Sequence, residues 1–372
     1  MQFIPYPGTD VNDIDTPSLL IDLTNLEHNI EKMHSFFRNR PQKVRSVTKS
    51  HKSPDIANLQ WIQEGAIPYG ITCAKVSEAE VMVAGGAKQV RMIEQVVGSP
   101  KIERLMALAK RADVLALVDN PANIKSLSEA AEAFNVKLGV LAEIEIGINR
   151  CGVEPGQPAL DLVNNILKLN SKHLEFRGLS SHEGSLFIAD FEERSIVAKG
   201  RVQKLLDTRE LLEKHGIPVE ICGAGSTSCW NIVGAMDGIT EIDPGSYALY
   251  EAQYVRKIPE NGFIPALRVL TTVISKPTPD RLVTDVGFKA CSIEKGMPEV
   301  DWPEGIKVNR LNSEHGIIDI TGSEGRQLRL GDKIMLIPQY QGTTIIGHDR
   351  YICIRNNKVE ATFPILARGA HY

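Results

Sequence analysis

The sequence predicts a (β/α)8 TIM-like barrel joined to a second, mostly β domain, and three observations carry that prediction. From about residue 44 to 250, short β-branched runs alternate with amphipathic stretches whose apolar residues recur at three- and four-residue spacing. The alternation yields eight strands, each followed by a helical pattern, which is the count of a closed β/α barrel. After about Pro265 the helical period vanishes and strand-like runs separated by turns replace it. A doubly wound open sheet could also hold eight strands, so the count alone leaves both architectures open.

The barrel strands are predicted at Val44–Lys49, Gly70–Ala74, Gln89–Gln95, Asp113–Asp119, Val136–Glu145, Leu174–Glu183, Pro218–Gly225 and Ile239–Ser246. Helical patterns lie between them at Ser53–Glu64, Ser77–Gly85, Pro100–Arg111, Pro121–Asn135, Gln157–Asn170 and Phe191–Gly216. Several open with Ser, Asn or Pro, residues that suit a first helical turn. Beyond the barrel, strands are predicted at Ala266–Lys276, Arg281–Ala290, Ile317–Gly322, Lys333–Pro338 and Tyr351–Phe363, the last holding an Asn356-Asn357 hairpin turn. An N-terminal strand around Leu19–Asp22 is assigned to this sheet. The expected division is a barrel over residues 24–262 and a β-rich domain made of residues 1–23 plus 263–372.

A chain of 372 residues can bury a full core, and 42% hydrophobic with 24% charged residues is ordinary for a globular protein. A net charge of −4 gives no attraction to nucleic acid, so the partner is expected to be a small molecule. No apolar run approaches the ~20 residues that span a bilayer. The opening Met1-Gln-Phe-Ile-Pro-Tyr-Pro-Gly8 has no basic segment before an apolar core, so no secretory signal is expected. Six scattered cysteines without a Cys-x-x-Cys pair read as reduced core residues. A cytoplasmic enzyme is the simplest class.

Barrel enzymes place their chemistry at the C-terminal strand ends and often bind phosphate after strands seven and eight. The residues falling there are Lys49, Arg150 in Gly147-Ile-Asn-Arg150-Cys-Gly152, His182, the segment Gly223-Ala-Gly225-Ser226-Thr227, and Pro244-Gly245-Ser246-Tyr247. Glycines let backbone N–H groups approach a phosphate, and the hydroxyls of Ser226, Thr227 and Ser246 can add hydrogen bonds. One such loop is a tight turn; two at this pair of strand ends point to a phosphate site. Lys49 has two readings, a nucleophilic amine of the Schiff-base kind or a lysine reaching solvent, and Lys52 could equally do the latter. Arg150 could clamp an anionic oxygen or form a surface salt bridge. His182 could lie over a flat ring, move a proton, or be structural.

In that order the motifs resemble the D-threonine aldolase/D-serine dehydratase group within the alanine-racemase-like pyridoxal phosphate enzymes. The resemblance runs over nearly the whole chain: Thr16-Pro-Ser-Leu-Leu-Ile-Asp-Leu23, Lys49-Ser-His-Lys-Ser53, Gly70-Ile-Thr-Cys-Ala74 with Glu78-Ala-Glu80, Gly147 to Val153, Thr240-Glu241 with Pro244 to Tyr247, and Phe363 to Gly369. It implies a homodimer of barrel-plus-β chains that binds pyridoxal 5′-phosphate and acts at the α-carbon of a small amino acid of D configuration. Lys49 would hold the cofactor as a Schiff base, Arg150 would lie near its phenolic oxygen, and the two Gly/Ser loops would hold its phosphate.

Two departures stand out. Members that cleave or dehydrate β-hydroxy amino acids commonly carry a His-x-Cys or His-x-Asp pair that binds a divalent metal; here Tyr340 and Gly342 occupy those positions, so no metal is expected. Two residues before the lysine the family's histidine is replaced by Val47. Asp243 stands where alanine racemases carry an arginine facing the pyridine nitrogen; it would keep that nitrogen protonated, or else cap the following loop. The leading reading is an aldolase- or dehydratase-like lyase. A racemase, with Tyr340 or His182 as second acid/base, is the first alternative; a non-catalytic pyridoxal phosphate carrier or a sugar-phosphate barrel enzyme are the others.

Overall fold

A computed structural model describes residues 4–321 and 324–372, which divide into two compact bodies. The barrel body comprises Met33–Lys49, Ala57–Gly245 and Ala370–Tyr372; the β-rich body comprises the chain up to Lys32, Ser50–Ile56 and Ser246–Gly369. In chain order the strands are β1 Ser18–Asp22, β2 Lys43–Val44, β3 Gly70–Cys73, β4 Gln89–Met92, β5 Asp113–Val118, β6 Leu138–Glu143, β7 Leu174–Ser180, β8 Ile221–Gly223 and β9 Glu241–Ile242. Among the described residues, β2 to β9 form one eight-stranded sheet in the order β2-β9-β8-β7-β6-β5-β4-β3, with every pair parallel. An isolated parallel bridge between Val47 and Thr72, with the Thr72 N–H donating to Ser46 O at 3.0 Å, joins the two ends of that row. The sheet is the expected barrel.

Fully buried strands explain why the runs are continuously apolar: β6, Leu-Gly-Val-Leu-Ala-Glu, is buried at all six positions. The predicted helices form at Pro54–Trp61, Val76–Ala84, Ser99–Ala109, Pro121–Phe134, Gln157–Lys168 and Phe191–Lys214. Proline opens several at the first turn, where its missing N–H costs nothing, and Asn120 caps Pro121–Phe134 by accepting from Ala122 N. The main correction lies at the first strand. It ends at Val44, and Lys49 sits instead in a 3-10 turn, Thr48–Ser50.

The β-rich body continues with β10 Leu267–Thr278, β11 Arg281–Thr284, β12 Glu299–Trp302, β13 Lys307–Leu311, β14 Gly316–Asp319, β15 Lys333–Ile337, β16 Arg350–Arg355 and β17 Lys358–Pro364. The sheet runs β13-β14-β11-β10-β1-β16-β17, with β15 pairing both β10 and β12. The N-terminal strand β1 joins it, antiparallel to β10 and parallel to β16, as expected. Asn356 and Asn357 take φ of 50° and 58°, the left-handed pair of a two-residue hairpin between β16 and β17. β12, β13 and a short helix at Gln341–Ile345 were not predicted. Residues 246–262 and the start of the helix Leu23–Phe37 fall in this body rather than the barrel, because the Asn29 amide donates to Ala248 O at 3.0 Å and to Ile264 O at 2.7 Å. Ser50–Ile56 joins it too: Tyr351 Oη donates to His51 O at 2.6 Å, and Ala367 N to Lys52 O at 3.1 Å.

Candidate active site

The residues singled out on the barrel follow the C-terminal ends of its strands: Lys49 after β2, Arg150 after β6, His182 after β7, the Gly223–Thr227 loop after β8, and Asp243 after β9. Lys49 is exposed while residues 44–48 and 50–54 around it are buried, and Lys52 is among the buried ones. Its turn is fixed from below. Thr48 Oγ1 donates to Glu78 Oε1 at 2.5 Å, and the other oxygen of that buried carboxylate accepts from Ala74 N at 3.2 Å. Glu78 therefore sets the position of the Lys49 backbone, a role that one motif letter in the sequence did not reveal.

His182 reports on its surroundings. Its imidazole is held below the ordinary value by burial and by the Arg150 and Lys49 cations, against the opposing pull of the Glu183 and Asp243 carboxylates. Four of the predicted residues thus share one neighbourhood, and the ring there is neutral at neutral pH. The half-exposed Arg150 guanidinium reaches the buried Glu143 at 3.7 Å. Its loop is built on Glu145, whose carboxylate accepts from the N–H groups of Gly147, of Ile148 at 2.7 Å and of Arg150 at 3.2 Å. Burial would raise that carboxyl; these N–H donors hold it low.

The glycine loop after β8 carries a surprise. The N–H groups of Gly225 and Ser226 donate to the buried Glu183 carboxylate at 3.0 and 2.6 Å, and Ser226 Oγ bonds Ser228 Oγ and Gly184 O. Those groups were expected to serve a phosphate; they hold the loop to the residue beside His182 instead. Glycine is required at 225, where φ is +110° and a Cβ would lie 2.8 Å from Ile242. Tyr247 is fully buried in the β-rich body with its ring 6.1 Å from Phe263, so its side chain is core. Ser246 is half-buried in the same body, and its carbonyl accepts from Tyr250 N.

Beneath this mouth lies a charged layer. Arg45 makes two bonds to Glu241, through Nε at 2.8 Å and Nη2 at 2.9 Å; Arg91 bonds both Glu241, at 3.2 Å, and Asp243. Because β4 and β9 are not adjacent, Arg91 reaches Glu241 across the barrel interior. Both arginines are fully buried, and they draw the Glu241 carboxyl down to about 2 against the opposing effect of burial.

The donor set fits pyridoxal phosphate: the amine of an exposed lysine for an aldehyde, a guanidinium for a phenolate, a carboxylate for a pyridinium, and a neutral imidazole for a flat ring. A divalent metal is not fitted at the positions the resemblance names. Gly342 offers no donor atom, and a Cβ there would lie 2.8 Å from both Cζ and Oη of Tyr340, whose ring covers it. His348, downstream, is buried with Nε2 2.7 Å from Ala290 O. Among the described residues, ligand atoms of Asp119, Glu143 and Cys151 lie within 4.8 Å of one another, but Glu143 already meets Arg150 and Gln95.

Barrel, appended β sheet and strand-end groups together are those of a pyridoxal phosphate enzyme of the alanine-racemase type. Residues 21–252 match the alanine racemase N-terminal domain and residues 266–354 a serine dehydratase domain, and the chain belongs to this family, whose D-threonine aldolases and D-serine dehydratases use pyridoxal phosphate as lyases. It is 33% identical to a 3-hydroxy-D-aspartate aldolase of Paracoccus denitrificans (strain Pd 1222), over 98% of this chain and 95% of that one. It is 32% identical to a D-threonine aldolase of Arthrobacter sp, with the same coverages. The crystal structure of D-threonine aldolase from Filomicrobium marinum superposes with a TM-score of 0.94 at 35% identity, covering 99% of this chain and 100% of that one. No helix of the described residues is long and apolar enough to cross a membrane.

Proposed function

We propose that this chain is a lyase for a small β-hydroxy D-amino acid, with Lys49 as the amine that holds pyridoxal phosphate. The observation that carries the reading is that Lys49, Arg150, His182 and Asp243 all follow the C-terminal ends of barrel strands, near enough for the three charges to act on the His182 ring. When bound, the cofactor supplies an electron sink for charge developing at the substrate α-carbon. Lys49 would move a proton at that carbon, and Arg150 would hold the cofactor's phenolic oxygen. His182, kept neutral, lies over the ring. Thr227 and Gly245 hold the phosphate, Gly223, Gly225 and Ser226 shaping the loop that presents Thr227.

No step is routed through a metal. In the β-rich body, burial first, and then the Glu251 and Glu294 carboxyls, raise the Tyr340 phenol above its ordinary value. The racemase reading is less supported, since the relatives above are named aldolases. A homodimer and a cytoplasmic location complete the proposal; the free thiols of all six cysteines support the latter.

Borohydride reduction of the loaded protein should fix a pyridoxyl group on the peptide carrying Lys49, and Lys49→Ala should abolish both the label and turnover. Label on any other peptide overturns the assignment. D-threonine, D-serine and D-3-hydroxyaspartate, with and without chelator, should yield aldehyde and glycine, or ammonia and keto acid, in amounts chelation does not change. Loss of optical rotation without either product pair would favour the racemase.

A further inference from the structure

We propose that Arg91 and Thr72 are positioning residues that clamp one oxygen of Asp243 so that its other oxygen meets the protonated ring nitrogen of the cofactor. This rests on the reading of Lys49 given above.

Thr72, on β3, donates through Oγ1 to Asp243 Oδ1 at 2.8 Å, and Arg91 Nη2, from β4, bonds the same Oδ1. Two donors from two strands on one oxygen fix the carboxylate's rotation and leave Oδ2 with no protein partner among the described residues. The Asp243 side chain is 14% exposed, whereas the Arg91 side chain is fully buried. The partly exposed Asp243 carboxylate follows the C-terminal end of β9, on the strand-end side that also carries Lys49 after β2 and His182 after β7, and the charges of Asp243 and Lys49 both reach His182.

A purely structural pair does not account for Arg91. Glu241 already has a guanidinium of its own, gripped twice by Arg45, so the second cation is not needed to neutralise it. Arg91 has its counter-ion in Asp243, at the barrel mouth. Room is made for it as well: a Cβ at Gly223 would lie 2.6 Å from Arg91 Nη1, so the glycine before the loop admits the guanidinium. An anion held rigidly beside a pyridine nitrogen favours its protonated form, which deepens the electron sink.

The test is the nitrogen resonance of 15N-labelled pyridoxal phosphate in the reconstituted full chain, read beside kcat and KM. The wild type is expected to show the protonated position. Asp243→Asn moves it to the unprotonated position and lowers kcat on the order of a hundredfold, with KM little changed. Thr72→Val, which keeps shape and loses the donor, gives an intermediate shift and a smaller loss; Arg91→Lys retains more of the protonated signal than Arg91→Met. If Arg91→Met does not fold, Thr72→Val decides the clamp. An unprotonated nitrogen in the wild type, or an unmoved signal in Asp243→Asn, overturns the proposal, as does a wild-type signal in Thr72→Val. Failure of the chain to take up the cofactor at all would instead sink the assignment of Lys49.

Discussion

Two glutamates, one in each body, are buried alike and behave oppositely. Glu241, inside the barrel, is drawn down to about 2, because burial is outweighed by the guanidinium of Arg45 and then that of Arg91. Glu251, in the β-rich body, is pushed up to about 8, because burial is opposed by little more than the Gln341 N–H at 3.0 Å. Depth does not decide the charge of a buried acid; what faces it does. The barrel interior is an ionic layer beneath the site, while the β-rich body keeps a carboxyl that is neutral at neutral pH.

The largest test of that contrast is Glu241→Gln. Arg45 would then lose its directly bonded carboxylate and Arg91 would keep only Asp243, and removing one partner of a buried ionic cluster costs about 3–5 kcal/mol. Chemical denaturation should show a loss of that size; a change under 1 kcal/mol would mean the layer is hydrated and the contrast false.

The pH dependence comes next, and the two groups give opposite slopes. The folded Glu241 binds its proton less readily than the ordinary value of 4.5, so its contribution is present above that pH and is lost as pH falls toward about 2. Folded Glu251 holds its proton from 4.5 to about 8 where the unfolded chain releases it, so stability falls with rising pH across that window, by at most about 1.4 kcal/mol per unit, and levels off above it. Glu251→Gln, which keeps an acceptor for the Gln341 N–H, should remove the slope between pH 5 and 8. Urea titrations at pH 5, 7 and 9 on both proteins would show parallel slopes if Glu251 were ionised in the fold. The smallest effect concerns the hairpin of β16 and β17: Asn357→Gly should stabilise by a few tenths of a kcal/mol at φ 58°, and a loss there would show that the Asn357 side chain holds the turn.

Much of the barrel was legible because its signals are local. Every predicted barrel strand but the first contains an observed one, and the capping and proline rules set helix starts within two residues, as at Pro121. Strand ends were overrun, at Lys49 most of all, because the β-branched Val47 and Thr48 that lead into the Thr48–Ser50 turn read as a continuation of the strand. The strand-end residues were singled out because a barrel's chemistry concentrates there. Arg45, Arg91 and Glu241 were missed since they pair over separations of 150 residues or more, with no motif to join them. Likewise, nothing in Gly225-Ser226 shows that its N–H groups are bound by a glutamate 42 residues upstream. β12 and β13 were lost among charged residues on a half-exposed sheet edge.

The ring of Tyr340 over Gly342 also bears on descent. A Cβ at 342 would lie 2.8 Å from Cζ and Oη of that ring, so any larger residue there obliges the phenol to swing aside, whereas exchange at 340 with Gly342 retained disturbs nothing at 342. The gentler path from this arrangement to one with two ligands therefore begins at 340, and natural variants that keep a small residue at 342 without the phenol would mark it.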